Sequence, residues 1–211
     1  MNKAVRNILI IVGSLLIVGG ITAAGVGIYK HFNPYGSGNP FEKGGEFGYG
    51  ISIGSGEKPT LIDLYFNSET NEYKMTVTVG ELSSDIETGT YSYDAASSTI
   101  NCVTTSGTEE QYYYDGQYVI YSKSMYEPFE EASIGDKEIS GKFKHVMTDG
   151  DTDIIDFSDR TFVRAIDTEM YTGTYTIDGR FVKMVVTDGS EWVDFLIYDG
   201  NLSNTYYIRN R

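Results

Sequence analysis

The stretch Gly89–Gly116, GTYSYDAASSTINCVTTSGTEEQYYYDG, is matched 84 residues later by Gly173–Gly200, GTYTIDGRFVKMVVTDGSEWVDFLIYDG. Each copy opens on Gly-Thr-Tyr and closes on Tyr-Asp-Gly at the same separation. Thr88 and Thr172 precede them, and Asp94 pairs with Asp178. The central hairpin slips by two residues and then recovers register. Similarity at a fixed offset marks a duplicated structural unit. Upstream, GEFGYGISI from Gly45 aligns with GKFKHVMTD from Gly141. LIDLYFNSETNEYKMTV, in turn, sits beside DIIDFSDRTFVRAI. Each copy then holds roughly seven short strands in about 70–75 residues.

Local chemistry makes those units β. YKMTVTVG alternates Met75, Val77 and Val79 with Lys74, Thr76 and Thr78, the period of a half-buried strand. Asp188-Gly189 and Asp199-Gly200 break the C-terminal region into three strands. Asp-Gly between apolar alternations favours a tight hairpin, because a type I′ turn needs positive φ at both central residues. Eighteen tyrosines, frequent Gly and only four prolines fit pleated strands joined by turns. Cys102 is the only cysteine, which excludes an intramolecular disulfide. TINCVTT places no cation beside it, so it reads as a small core residue.

Ile8–Ile28 contains no charged residue. Twenty-one residues at about 1.5 Å rise cross a hydrocarbon core of roughly 30 Å, so this run is expected to be an uncleaved transmembrane anchor. Its small residues Gly19, Ala23 and Gly27 form a stripe that could pack a second helix. Lys3, Arg6 and Lys30 are the bases of the first thirty residues, which hold no acid. The remainder carries 13 bases against 30 acids, a formal charge of −17. The expected topology is single-pass in the cell membrane, with a cytoplasmic N-terminus and an extracellular C-terminal region. Such an acidic surface argues against nucleic-acid binding, which needs clustered cations.

The expected organisation is a cytoplasmic tip and anchor over 1–30, a flexible linker over 31–46, a first β unit over 47–122, a linker over 123–140, and a second β unit over 141–211. The order of phrases in the second copy resembles that of bacterial lipocalin-like domains, small β-barrels on Gram-positive surface proteins. Those phrases are a G-x-F strand, an IDF-type strand, GTYTIDG, a DG hairpin and a final aromatic strand. The first copy departs at Asp94–Ser98, DAASS, where the turn glycine is missing. The fold class expected is all-β, with two tandem antiparallel meanders forming small lipocalin-like barrels after an N-terminal transmembrane helix. The resemblance implies fold, and binding of an apolar ligand or a partner; it identifies no catalytic residue.

Candidate sites follow from chemistry. Asp149, Asp151 and Asp153 alternate like the start of a calcium loop, supplying hard oxygen ligands. The remainder of that motif is absent, since Ile154 and Arg160 hold its glycine and glutamate positions; a polar hairpin turn is the competing reading. No other cofactor is expected. Tyr112, Tyr114 and Tyr118 in YYYDGQY are expected as exposed aromatics for protein recognition. Trp192 could line a ligand cavity or a sugar-stacking face, or simply fill a core. His145 lies on an expected strand without a nucleophile–base arrangement around it. The function expected is therefore a non-enzymatic, membrane-anchored extracytoplasmic binding module for an unknown protein or a small apolar or glycan ligand. The alternative is a structural envelope or assembly protein without a small ligand.

Overall fold

A computed structural model describes residues 41, 46–53, 60–147, 149–166, 168–188 and 194–209. The apolar run Ile8–Ile28, Trp192 and most of the 31–46 segment lie outside them. Among the described residues, no helix is long and apolar enough to cross a membrane.

The chain forms two closed eight-stranded antiparallel barrels. β1 (Glu46–Ile53), β2 (Thr60–Asn67), β3 (Glu72–Val79), β4 (Leu82–Asp94), β5 (Thr99–Thr104), β6 (Glu109–Tyr114) and β7 (Tyr118–Tyr121) run consecutively around the first. A 3-10 turn, Ser122–Ser124, follows. The second barrel is an uninterrupted meander of β8 (Met125–Ile134), β9 (Ile139–Val146), β10 (Thr152–Ser158), β11 (Thr161–Ile166), β12 (Glu169–Asp178), β13 (Phe181–Val186), β14 (Phe195–Tyr198) and β15 (Asn201–Ser203). It closes where β15 pairs with β8, Leu202 opposite Tyr126. The architecture fits lipocalin-like small barrels.

The last strand, β16 (Tyr206–Arg209), does not belong to the second barrel. It closes the first, pairing with β7 (Tyr207 opposite Val119) and with β1 (Tyr49 opposite Arg209). The second unit, Ser124–Thr205, is therefore inserted between the seventh and eighth strands of the first. Inside that unit the Ser124 hydroxyl lies 2.9 Å from Ser203 Oγ and donates to the Thr205 carbonyl at 3.4 Å. Its entry and exit points are thus tied together.

This corrects two segment assignments and a strand count. The 123–140 segment is not a linker, because it carries the 3-10 turn, β8 and the start of β9. The second unit ends before residue 211, and each barrel has eight strands rather than seven. β8 hides its nature by a bulge. Its register against β9 shifts between Phe129 and Ser133, and Glu130 and Glu131 adopt φ of 49° and 61°. Extra residues at a bulge break the period-2 pattern by which a strand is read.

The duplication is visible in bonding as well as in sequence. Tyr91 N donates to the Asn71 carbonyl and Tyr175 N to the Arg160 carbonyl, at 2.9 and 3.0 Å. Thr88 and Thr105 hydroxyls lie 3.0 Å apart, and Thr172 and Thr187 hydroxyls 3.1 Å. The Asp199-Gly200 turn has φ of 47° and 75°, as a type I′ hairpin demands. The first copy closes its DAASS turn without glycine. The Asp94 carboxylate accepts from Ala96 N and Ser97 Oγ, and Ser98 takes φ 54°.

Large side chains are buried in both barrels. Tyr49, Leu64, Phe66 and Ile100 are fully buried in the first barrel, as are Phe143, Ile155, Phe195 and Leu202 in the second. Cys102 is also buried, and burial, with Glu87 and Glu110 beside it, pushes its thiol well above the usual range.

Candidate functional site

Three side chains from three strands meet in the second barrel. Asp153 is 2% exposed and Arg164 6%, so an unpaired charge at either place would be costly. The Arg164 guanidinium donates from Nε to Asp153 Oδ1 at 3.0 Å and from a terminal nitrogen to Oδ2 at 2.5 Å. The Tyr126 hydroxyl donates to Asp153 Oδ2 at 2.6 Å and accepts from Arg164 at 3.0 Å. Burial, despite the guanidinium beside it, pushes the Tyr126 phenol up. Arg164 also faces the Phe195 ring at 5.9 Å. His145 extends the cluster, its ring 5.1 Å from that of Tyr126 and its Nδ1 3.1 Å from the Met125 carbonyl. The cluster is internally satisfied and holds β8, β10 and β11 in register.

That arrangement places Asp153 apart from Asp149 and Asp151 and does not gather the three into one ligand set. Asp153 is spent on Arg164 and Tyr126, while Asp149 and Asp151 are exposed on the preceding turn. There Asp149 Oδ1 accepts from Asp151 N at 3.1 Å. Strand alternation carries Asp153 inward and away from the turn carboxylates. Among the described residues, no group of three or more metal-ligating side chains is placed to hold an ion.

The tyrosine expectation is corrected too. Tyr112, Tyr114 and Tyr118 are 1%, 4% and 4% exposed, so they form core and not a recognition surface. The alternation of β6 explains it. Tyr112 and Tyr114 share the inward face with Glu110, leaving Glu109 and Gln111 exposed. Glu110 accepts from the Tyr121 hydroxyl at 2.6 Å and pairs with Lys123 at 3.0 Å.

A groove of about 340 Å³ lies on the first barrel, lined by Asp85–Thr88 of β4 and by Thr104, Thr105, Ser106 and Thr108 around the β5–β6 turn. A bulge opens it. Met75 pairs with Glu87 but Thr76 with Asp85, leaving Ile86 as the extra residue. Its hydroxyls are mutually ordered: Thr104 Oγ1 lies 2.8 Å from Ser106 Oγ and accepts from Thr108 N at 2.8 Å. Glu87 accepts from the buried Tyr73 hydroxyl at 2.6 Å, and Asp85 from Thr76 Oγ1 at 2.7 Å. The lining offers hydroxyls and carboxylates, suited to hydrogen bonding with a polar surface. It includes no histidine, cysteine or lysine to act as base or nucleophile. Nothing in the sequence singled this groove out, because hydroxyl-rich turns are common on β surfaces.

A third feature gathers at the first barrel. Phe41, which precedes β1, packs its ring among Phe47, Phe66, Tyr91, Tyr93 and Tyr114, at centroid separations of 4.8–6.3 Å. Sequence reading assigned that residue to a linker.

Compared with known proteins, the chain matches no family model, no curated protein and no solved structure.

Proposed function

We propose that this chain is a membrane-anchored extracytoplasmic interaction module, without catalytic activity, that recognises a partner through the outside of its barrels. The large aromatic and aliphatic side chains buried in both barrels carry this reading, since they take up space a lumen ligand would need. The uncharged Ile8–Ile28 run supports the anchor. The basic residues before it and the acidic remainder support export of the barrels. The polar groove on β4 supports contact with a hydrogen-bonding surface. The barrel architecture is in keeping with the lipocalin-like surface domains of Gram-positive bacteria that the second copy resembles.

Native mass spectrometry of the full chain, purified from its own membranes into lipid nanodiscs, tests the reading. A polypeptide retained at fixed stoichiometry is the expected result. One apolar small molecule bound per chain would overturn it, as would a chain carrying no partner. Protease shaving of intact cells tests the topology: the barrels should be digested, and their full protection would refute export.

A further inference from the structure

Glu87 belongs to two surfaces at once. It lines the groove of about 340 Å³ on the first barrel. Its half-buried carboxylate also accepts from the hydroxyl of Tyr73, a residue 2% exposed, at 2.6 Å. Strand alternation sets Glu87 on the same inward face of β4 as Tyr91. The groove therefore leads toward the barrel interior at this carboxylate.

A second carboxylate, Glu110, faces the same region. Cys102 stands opposite it on β5. Burial leads in pushing that thiol up, and Glu87 and then Glu110 add to it, which sets both acids around one buried group. Glu110 has its cation, Lys123 Nζ at 3.0 Å. Among the described residues, Glu87 has no cation within salt-bridge distance. The second barrel shows the balanced case. At the offset of 84, Tyr171 takes the place of Glu87. It stands opposite Arg164, where Met75 stands opposite Glu87. Arg164 is neutralised by Asp153.

Two buried phenols lie beside these carboxylates. Tyr112 and Tyr207 are 1% and 5% exposed, with rings 6.4 Å apart. Among the described residues, neither hydroxyl makes a hydrogen bond, although buried tyrosines usually find a partner. Burial leads in pushing both phenols up. Glu87 and Glu110 follow at Tyr207, and Tyr207, Cys102 and Glu87 follow at Tyr112. A carboxylate without a cation beside hydroxyls without partners suits a group with one positive charge and several N–H donors. The aromatic rings around it favour a cation as well.

We propose that the groove receives a lysine side chain of a polypeptide partner, its ammonium meeting Glu87 with the Tyr112 and Tyr207 hydroxyls behind. The proposal rests on the interaction-module reading and names the partner's chemistry. An ammonium has three donors and no acceptor, which matches a carboxylate and two phenol oxygens. Lys123 on Glu110 is the same pairing within this barrel. The apolar stem of a lysine lets its charge reach inward while its backbone stays outside. There the hydroxyls of Thr88, Thr105 and Ser106 are placed to bond that backbone.

The test uses the full chain in nanodiscs and a blocked Gly-Gly-Lys-Gly-Gly peptide, labelled with carbon-13 at the lysine ε-carbon. Its resonance should shift on titration, and that of the Nε-acetylated peptide should not. Glu87→Gln keeps an oxygen for Tyr73 and should weaken binding at least about tenfold, the scale of one hydrogen bond to a charged group. Glu69→Gln removes the same charge from an exposed turn and should leave binding within about twofold. Equal weakening by both variants, no binding, or binding of the acetylated peptide overturns the site. n-Butylamine lacks a backbone and should bind more weakly than the peptide; equal binding overturns the polypeptide assignment. Carbodiimide coupling on the parent chain needs no variant. The peptide should be joined at Glu87, and coupling spread over exposed acids such as Glu69 and Glu109 overturns the site. A native partner that stays bound to Glu87→Gln defeats the groove alone, whereas a chain with no partner defeats the functional reading.

Discussion

Gly89 sits directly across the ladder from Tyr73, and the tyrosine ring occupies the space a side chain at residue 89 would need. A Cβ built there would lie 2.8 Å from Tyr73 Cε1 and 2.1 Å from the Val103 carbonyl oxygen. Gly173 and Phe162 repeat the relationship in the second barrel, at 2.7 Å from the ring and 2.0 Å from the Val185 carbonyl. The repeated Gly-Thr-Tyr phrase is therefore a packing device: the glycine admits a cross-strand ring, and the tyrosine two residues on fills the interior beside it.

Gly89→Ala and Gly173→Ala should each destabilise their own barrel by about 3 kcal/mol, the upper end of overpacking costs, because carbonyl oxygens cannot move aside as flexible side chains do. Urea denaturation followed by tyrosine fluorescence measures this. A change under about 0.5 kcal/mol, the range of ordinary surface substitutions, would contradict the packing account.

The Asp153–Arg164 pair makes a second prediction. Asp153→Asn or Arg164→Met alone leaves a buried charge uncompensated and should cost about 3–5 kcal/mol. The double variant Asp153→Leu, Arg164→Met removes both charges and should recover much of that loss. A double-mutant cycle by chemical denaturation decides it; purely additive losses would show that the pair is not coupled.

Removal of residues 206–211 should open the first barrel and spare the second. Hydrogen exchange should lose protection on β1 and β7, which flank β16, while β9–β13 remain protected. A synthetic Asn204–Arg211 peptide should restore it. Equal loss in both barrels would contradict the strand assignment.

Alkaline pH should weaken the fold. Burial pushes the Tyr91 phenol up to about 12 from 10.0, and Tyr49, Tyr73 and Tyr121 rise further for the same leading reason. A raised folded value means the native chain keeps protons that the unfolded chain releases. The stability contributed by these phenols is complete below pH 10 and drains as pH climbs through 10 to 12 and beyond. Urea midpoints measured from pH 7 to 12, with tyrosinate absorbance, should be flat and then fall; a flat profile to pH 12 would contradict it.

The sequence disclosed the duplication and the β class because both are local: an offset of 84 and alternations such as Met75–Val79 need only neighbouring residues. It concealed what depends on distant pairing. NLSNTYYI reads as one strand, yet Asn201–Ser203 and Tyr206–Arg209 serve different barrels, and nothing in their alternation marks the break at Asn204. Tyr112 and Tyr114 looked like exposed aromatics beside an acidic pair, although Glu110 itself points inward. The carboxylate of Asp153 resembled a calcium ligand because its partner Arg164 lies on the next strand, eleven residues on. Phe41 was unreadable as a packing residue since Pro, Gly and Asn surround it.

The placement of β16 also sets a timetable. All eight strands of the second barrel are contiguous, so that barrel has its full complement once Ser203 has emerged from the ribosome. The first barrel, although its strands are made earlier, holds unpaired edges on β1 and β7 until Arg209 arrives. N-to-C synthesis thus completes the later unit first. Through that interval the waiting seven-stranded sheet is the species most exposed to wrong pairing.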